Sequence, residues 1–204
     1  MTKIIVNNIG KQFGREWIFK NFSFNFFENQ SYAITGSNGS GKSTLIKILA
    51  GIIPATIGEI DYVYNEKKVY PQDWFKDLSI AAPYLELVEE FSLKEMIDFH
   101  NSFKKLSVKR EELIERLGFQ KSTHKSIKFF SSGMKQKLKL ALAMYSEAKV
   151  LFLDEPTTNL DEKNISWYIE NIKEVSASKL LVICSNQPYE YNFCNQVINL
   201  MLFK

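Results

Sequence analysis

Residues 36–43 read Gly36-Ser37-Asn38-Gly39-Ser40-Gly41-Lys42-Ser43, a full match to G-x-x-x-x-G-K-[ST]. The pattern carries a physical demand. Backbone N–H groups must converge on an anion, so the loop needs glycines that accept unusual dihedrals. Lys42 supplies positive charge for the β- and γ-phosphates of a nucleotide, and the Ser43 hydroxyl offers a ligand to Mg²⁺. The rival reading is a Gly/Ser-rich surface turn, and the flanks argue against it. Ser31-Tyr32-Ala33-Ile34-Thr35 reads as a short strand leading in. Leu45, Ile46, Ile48 and Leu49 form the apolar stripe of a helix leading out, which Gly51 stops. A helix starting at Lys42 aims its N-terminus at the bound anion.

A second acidic site follows downstream. Val150-Leu151-Phe152-Leu153 is an apolar run short enough for a fully buried parallel strand, and it ends in Asp154-Glu155. Ligands of parallel α/β sheets bind at that end of the strands. Asp154 is placed to hold Mg²⁺ through water, and Glu155 to polarise a water attacking the γ-phosphate. Many strands end in an acid, so the run alone says little. Paired with the phosphate loop, it supplies the other half of a nucleotide–Mg²⁺ site.

The rest of the chain fits an α/β protein. Ile4-Ile5-Val6 is a short apolar run, and the polar–aromatic alternation over residues 21–27 predicts a strand with one buried face. Residues 52–83 read as short strands and turns. Ser92-Leu93-Lys94-Glu95 is a capping box, so a helix begins near Leu93. A second helix spans Val108–Leu117 and stops at Gly118. A third starts at Ser132 with Leu138, Ala141, Leu142 and Tyr145 on one face, residues 163–175 are helical, and Leu180–Cys184 is another buried strand. Strand and helix alternate, which indicates a mainly parallel sheet covered on both faces.

Composition sets the bounds. The 204 residues are 45% hydrophobic and 24% charged, with a net charge of +3. That is an ordinary soluble domain and excludes a disordered chain, a collagen or a coiled coil. The charge is too mild to argue for nucleic acid. No apolar stretch is long enough to span a membrane, and Met1-Thr2-Lys3-Ile4 starts no signal segment. Cys184 and Cys194 fit neither a disulfide framework nor a zinc pattern, and His100 and His124 have no ligand-spaced partners. Two reduced thiols in a cytoplasmic protein are expected.

In the order of these parts the sequence resembles the ATP-binding cassette (ABC) ATPases, specifically the nucleotide-binding subunits of ABC transporters. Phe13-Gly14 stands where the family places an aromatic against adenine, with Trp17 as a rival. The Walker A loop is Gly36–Thr44, so Gly36, Ser37, Asn38, Gly39, Ser40, Gly41, Lys42, Ser43 and Thr44 would bind nucleotide. Phe130-Ser131-Ser132-Gly133-Met134 matches the signature usually written LSGGQ, in the form similar to exporter-type ATPases. Val150–Glu155 is Walker B, and Pro156–Asp161 matches the D-loop. The resemblance implies an α/β P-loop NTPase fold over residues 1–204, with an N-terminal antiparallel β subdomain and a helical subdomain inserted at about 84–135. It implies ATP and Mg²⁺ as ligands, Ser43 and Asp154 at the metal, and Lys42 and Glu155 as catalytic residues. Ser131, Ser132 and Gly133 would close over the γ-phosphate of a second chain in a head-to-tail dimer, homodimeric or with another ABC ATPase. The partner would be a separate transmembrane permease subunit, docked on the helical subdomain near Glu86, Glu89 and Glu90. The protein would then sit in the cytoplasm on the inner face of the cytoplasmic membrane, with no nucleic acid bound.

Besides Ser132 and Met134, which replace the first glycine and the final glutamine of the signature, two catalytic positions depart from the family. Pro83 stands where a Q-loop glutamine is expected, and Asn186 where a switch histidine is expected. Proline has no side-chain ligand to give, and asparagine donates a hydrogen bond but carries no charge. Two readings follow: a slowed or partner-dependent ATPase, or tolerated variation in which Asp154 and Glu155 suffice. An ATP-binding partner without hydrolysis is a third, and a non-transport soluble ABC ATPase a fourth. The lysines at 104, 105, 109, 135, 137 and 139 are expected on solvated surfaces.

Overall fold

The computed structural model describes residues 1–204 except for the side chains of Pro71 and Gln72. The chain opens in a long hairpin, β1 (Thr2–Phe13) and β2 (Glu16–Phe27). The aromatic period of β2 explains its packing: Phe22 and Phe26 are fully buried and Phe24 partly, while Asn21, Ser23 and Asn25 face outward. Both strands run further than residues 4–6 and 21–27. The pairing continues from Lys3 opposite Phe27 to Phe13 opposite Glu16, but register shifts beyond Val6 break the alternation that marks a strand in sequence.

Next come β3 (Ser31–Thr35) and α1 (Lys42–Leu49), then β4 (Ile57–Tyr64) and β5 (Lys67–Val69). Strands β2-β1-β4-β5 make an antiparallel sheet. The short helix α2 (Pro71–Trp74) leads to β6 (Leu78–Ala81), followed by α3 (Leu93–Phe103), α4 (Arg110–Leu117) and α5 (Ser132–Met144). The chain finishes with β7 (Val150–Asp154), α6 (Glu162–Ser176), β8 (Leu180–Cys184), α7 (Pro188–Tyr191), β9 (Gln196–Asn199) and a 3₁₀ turn at Leu200–Phe203. A second, wholly parallel sheet has the order β6-β7-β8-β3-β9.

Strands β7 and β8 are buried on both faces, as their unbroken apolar runs require. Leu151, Leu153, Leu181 and Ile183 point into a core shared with α3–α6. Val150, Phe152, Leu180 and Val182 point into the other, shared with α1 and the antiparallel sheet. Each such side chain contributes about 1.5–3 kcal/mol by leaving water, so the sheet is a rigid base for the loops at its edge.

The stretch between β6 and α5 holds helices and turns. The Ser92 hydroxyl accepts from the Glu95 N–H at 3.2 Å while the Glu95 carboxylate accepts from the Ser92 N–H at 2.8 Å, so α3 starts at Leu93. Helix α4 starts two residues later than Val108, because Lys109 is an extended N-cap, and it ends on Gly118 at φ +71°.

The lysines correct an expectation. Lys137 is 8% exposed: its ammonium donates to the Leu117 carbonyl at 3.0 Å and lies 4.7 Å from the Trp167 ring centroid. Lys139 reaches the Ala82 carbonyl, and Lys104 those of Phe75 and Leu78. Helix α5 is wedged between the parallel sheet and its helical neighbours, so its long side chains run inward and find backbone oxygens there. Lys135 stays at the surface and pairs with Glu89.

Candidate nucleotide site

Strands β7, β8 and β3 are consecutive in the parallel sheet, so the segments leaving their C-terminal ends lie side by side. These are Asp154-Glu155, Ser185-Asn186 and the phosphate loop.

The loop is shaped by Gly41, which caps α1 at φ +102°. A Cβ there would sit 2.4 Å from Cγ2 of Ile18, so both the dihedral and the approach of β2 exclude a side chain. Lys42 is 5% exposed, and its ammonium donates to the carbonyls of Gly36 at 2.8 Å and Ser37 at 3.3 Å. An anion entering the loop meets a lysine already folded over it.

Asp154 is 1% exposed, and neither carboxylate oxygen has a hydrogen-bond partner. Burial pushes its pKa up, and the charge of Glu155 adds to the rise. The Ser43 hydroxyl and the Lys42 ammonium pull the other way; Ser43 is near enough to be felt but outside hydrogen-bonding geometry. An unpaired buried carboxylate is costly, and a hard cation sharing it with the Ser43 oxygen relieves that cost. The donor set therefore fits Mg²⁺.

Glu155 has φ +46°, in the left-handed region, at roughly 1–2 kcal/mol for a residue with a Cβ. Its N–H donates to the Cys184 carbonyl at 2.9 Å. The residue borders two cavities of about 220 Å³ each, one over the phosphate loop and one beside the 185–190 segment. Asn38 borders both as well, and its amide oxygen accepts from the Asn186 amide at 3.0 Å. Sequence positions 38, 155 and 186 thus meet around one opening.

Other sequence candidates lie outside these cavities. Phe13 ends β1 at 52% exposure with the Lys11 ammonium 5.0 Å from its ring centroid, and Trp17 carries Lys20 at 4.5 Å. The residue of β2 that lines the loop cavity is Ile18, which sequence reading missed. Ser131 caps α5, its hydroxyl accepting from the Met134 N–H at 3.2 Å. Ser131 and Ser132 are exposed. A Cβ on Gly133 would lie 2.9 Å from the Asn159 carbonyl, so the glycine lets α5 abut the loop after Glu155. Asp161 caps α6, accepting from the Asn164 N–H at 2.9 Å.

Pro83 leaves the sheet after β6 without a polar side chain, but the next residue is Tyr84. Its ring lies 3.8 Å from the Lys47 ammonium, and burial together with the charge of Asp154 pushes its hydroxyl up. Gln136, Thr157 and Glu190 were also missed; all three are buried beside Glu155's segment.

A glycine-rich phosphate loop with an acid pair and an asparagine beside it, at the C-terminal ends of adjacent parallel strands, is the arrangement of a P-loop nucleotide-binding protein. A family model described as ABC transporter matches residues 19–158, and the chain belongs to the ABC transporter family, on the side of its ATP-binding subunits. It is 29% identical over 176 residues to the uncharacterized ABC transporter ATP-binding protein YdbJ of Bacillus subtilis, covering 84% of this chain and 56% of that one. The lantibiotic transport ATP-binding protein SrtF of Streptococcus pyogenes is 30% identical over 188 residues, covering 89% of this chain and 78% of that one. The chain thus spans little more than half the length of YdbJ. Among solved structures, a putative ABC transporter ATP-binding protein from Pyrococcus furiosus superposes with a TM-score of 0.83 at 19% identity, covering 99% of both chains. The ATP-binding cassette MJ0796, in a dimeric post-hydrolysis state bound to ADP and Pi, gives 0.82 at 19% identity over 96% of this chain and 93% of that one. These likenesses establish the fold as that of an ABC ATPase. No helix among the described residues is long and apolar enough to cross a membrane.

Proposed function

We propose that the chain binds ATP with Mg²⁺, hydrolyses it, and works as a head-to-tail dimer that drives a separate membrane subunit. The observation that carries this reading is Glu155, an acid at the mouth of both cavities, next to a phosphate loop whose lysine is already in place. The loop N–H groups, Lys42, Ser43 and Thr44 bind the phosphates, and Phe13 offers an exposed ring to the base. Ser43 and Asp154 would hold Mg²⁺, which neutralises charge developing on the phosphate oxygens. Glu155 accepts the proton of a water whose oxygen attacks the γ-phosphorus; the bond to the bridging oxygen breaks, and ADP and phosphate leave. Asn186 donates a hydrogen bond through its amide but brings no positive charge, so turnover is slow. The same asparagine, with Pro83, favours as second reading an ATP-binding partner with weak or no hydrolysis.

Exposed Ser131 and Ser132, with the N–H groups of the first turn of α5, suit the γ-phosphate held by a second copy or a paralogue. The membrane subunit docks on the 84–135 segment, with the protein at the inner face of the cytoplasmic membrane. Glu86 and Glu90 are exposed there, whereas Glu89 is engaged by Lys135. The test is size-exclusion chromatography of Glu155→Gln with and without ATP. A dimer that forms only with ATP, and is lost in Glu155→Gln/Ser131→Arg, supports the reading. A monomer under all conditions with ATP bound refutes the dimer.

A further inference from the structure

One peptide group beside Glu155 is gripped from both ends. The Pro156 carbonyl accepts from the Gln136 amide at 2.8 Å, and the N–H of the same peptide, on Thr157, donates to a Glu190 carboxylate oxygen at 2.8 Å. Both side chains are buried, Gln136 at 3% and Glu190 at 2% exposure. They come from different elements: Gln136 from α5, which carries Ser131–Gly133 at its start, and Glu190 from α7, which follows Asn186. Glu190 is itself fixed, since the Thr157 hydroxyl bonds the same carboxylate oxygen and the Tyr168 hydroxyl donates to the Glu190 carbonyl at 3.1 Å. The gripped peptide lies one residue beyond Glu155, across the Glu155–Pro156 bond, and Glu155's φ of +46° is unfavourable for any residue with a Cβ. Such a conformation persists only where the surroundings over-determine it.

We propose that Gln136 and Glu190 are positioning residues that clamp the Pro156–Thr157 peptide and thereby hold Glu155 in its left-handed conformation. The clamp rests on Glu155 being the base, and it ties the helix bearing the signature and the segment bearing the switch to the placement of that base. Gln136 borders neither cavity, and Glu190, at the wall of the one beside the 185–190 segment, spends a carboxylate oxygen on Thr157, so the clamp acts on the chemical step rather than on binding.

The experiment compares Gln136→Met, Glu190→Met, Glu190→Gln and the double methionine variant of the full chain. Gln136→Met keeps the volume and loses the donor; Glu190→Gln keeps an acceptor for the Thr157 N–H. Each single methionine variant should lower kcat about tenfold or more, while KM and ATP affinity stay within about twofold. Glu190→Gln should retain about half of kcat or more, and the double variant should fall little below the worse single one, because either loss frees the peptide. Amide exchange at Glu155, Thr157 and Thr158 without nucleotide is the second readout. It should accelerate about tenfold or more in the methionine variants and stay near parent in Glu190→Gln. Unchanged exchange in the methionine variants, equal losses in Glu190→Gln and Glu190→Met, or a rise in KM with kcat preserved would overturn the clamp. If a methionine variant does not fold, Glu190→Gln and the remaining single variant decide the matter. If the parent shows no hydrolysis, the proposed function falls while the exchange pattern still judges the clamp.

Discussion

Replacing Asp154 by Asn should stabilise the nucleotide-free protein. The parent buries a carboxyl whose oxygens have no hydrogen-bond partners. A buried unpaired polar group costs about 1–3 kcal/mol, and a charged one more. Asparagine has the same shape and is also unpaired, so the gain is the extra cost of the charge. The nearby Lys42 ammonium offsets part of that cost but keeps its two carbonyl partners when the charge is gone. A net gain of roughly 1–2 kcal/mol remains, by comparison of charged and neutral unpaired groups. For a chain of this size that is a rise of about 2–8 °C in the melting midpoint. The pH dependence has a definite sign. The folded-state pKa of Asp154 is raised, so the penalty is absent below the unfolded carboxyl pKa and grows as pH rises through the folded value. The gap between variant and parent should be full at neutral pH and close in acid. Adding Mg²⁺ and ATP should reverse the order, because the parent gains about 2.7 kcal/mol at a ligand concentration of about 100 Kd and the variant gains less. Thermal melts at neutral and acid pH, with and without Mg²⁺ and ATP, are the assay. A variant less stable than the parent at neutral pH, or a gap that does not narrow in acid, refutes the reasoning.

Gly41→Ala should abolish measurable nucleotide binding and cost about 1–3 kcal/mol of stability from strain alone, since φ is +102° and Ile18 lies 2.4 Å from the new Cβ; calorimetric titration and urea denaturation check it. Phe13→Ala should weaken ATP binding by about 1–3 kcal/mol, the worth of stacking a base on an aromatic ring, while Trp17→Ala leaves it unchanged; equal losses in both would contradict the choice of Phe13. His100 is pushed down to about 4, mainly by burial and further by Lys104, and its ring bonds the Ser146 hydroxyl at 2.9 Å. Its neutral form is favoured in the fold, so stability is full above about pH 6.5 and falls as pH drops toward about 4. The loss approaches the order of 3 kcal/mol, and urea midpoints of His100→Gln should lack that part of the acid sensitivity.

The phosphate loop, the 150–155 strand and acid pair, and the start of α3 were legible because each rests on local rules: glycines at fixed spacing, an unbroken apolar run, a capping box. β3 fell on Ser31–Thr35 for the same reason. The long hairpin was only half legible, because the shifts beyond Val6 remove the period that a reader counts. The lysines of α5 were misread because burial there is set by two neighbours far away in sequence. The Asn38–Asn186 contact, Ile18 over Gly41, and the grip of Gln136 and Glu190 on one peptide join positions 20 or more residues apart. No spacing rule reports them.

The most direct test of the central claim is steady-state ATP hydrolysis by the purified chain beside Glu155→Gln, with ATP affinity measured for both. The account expects slow but measurable turnover in the parent, a fall of about a hundredfold or more in the variant, and equal affinity in both. Equal turnover in the two proteins, or ATP binding with no turnover in either, would contradict the assignment of Glu155 as the base of a working ATPase.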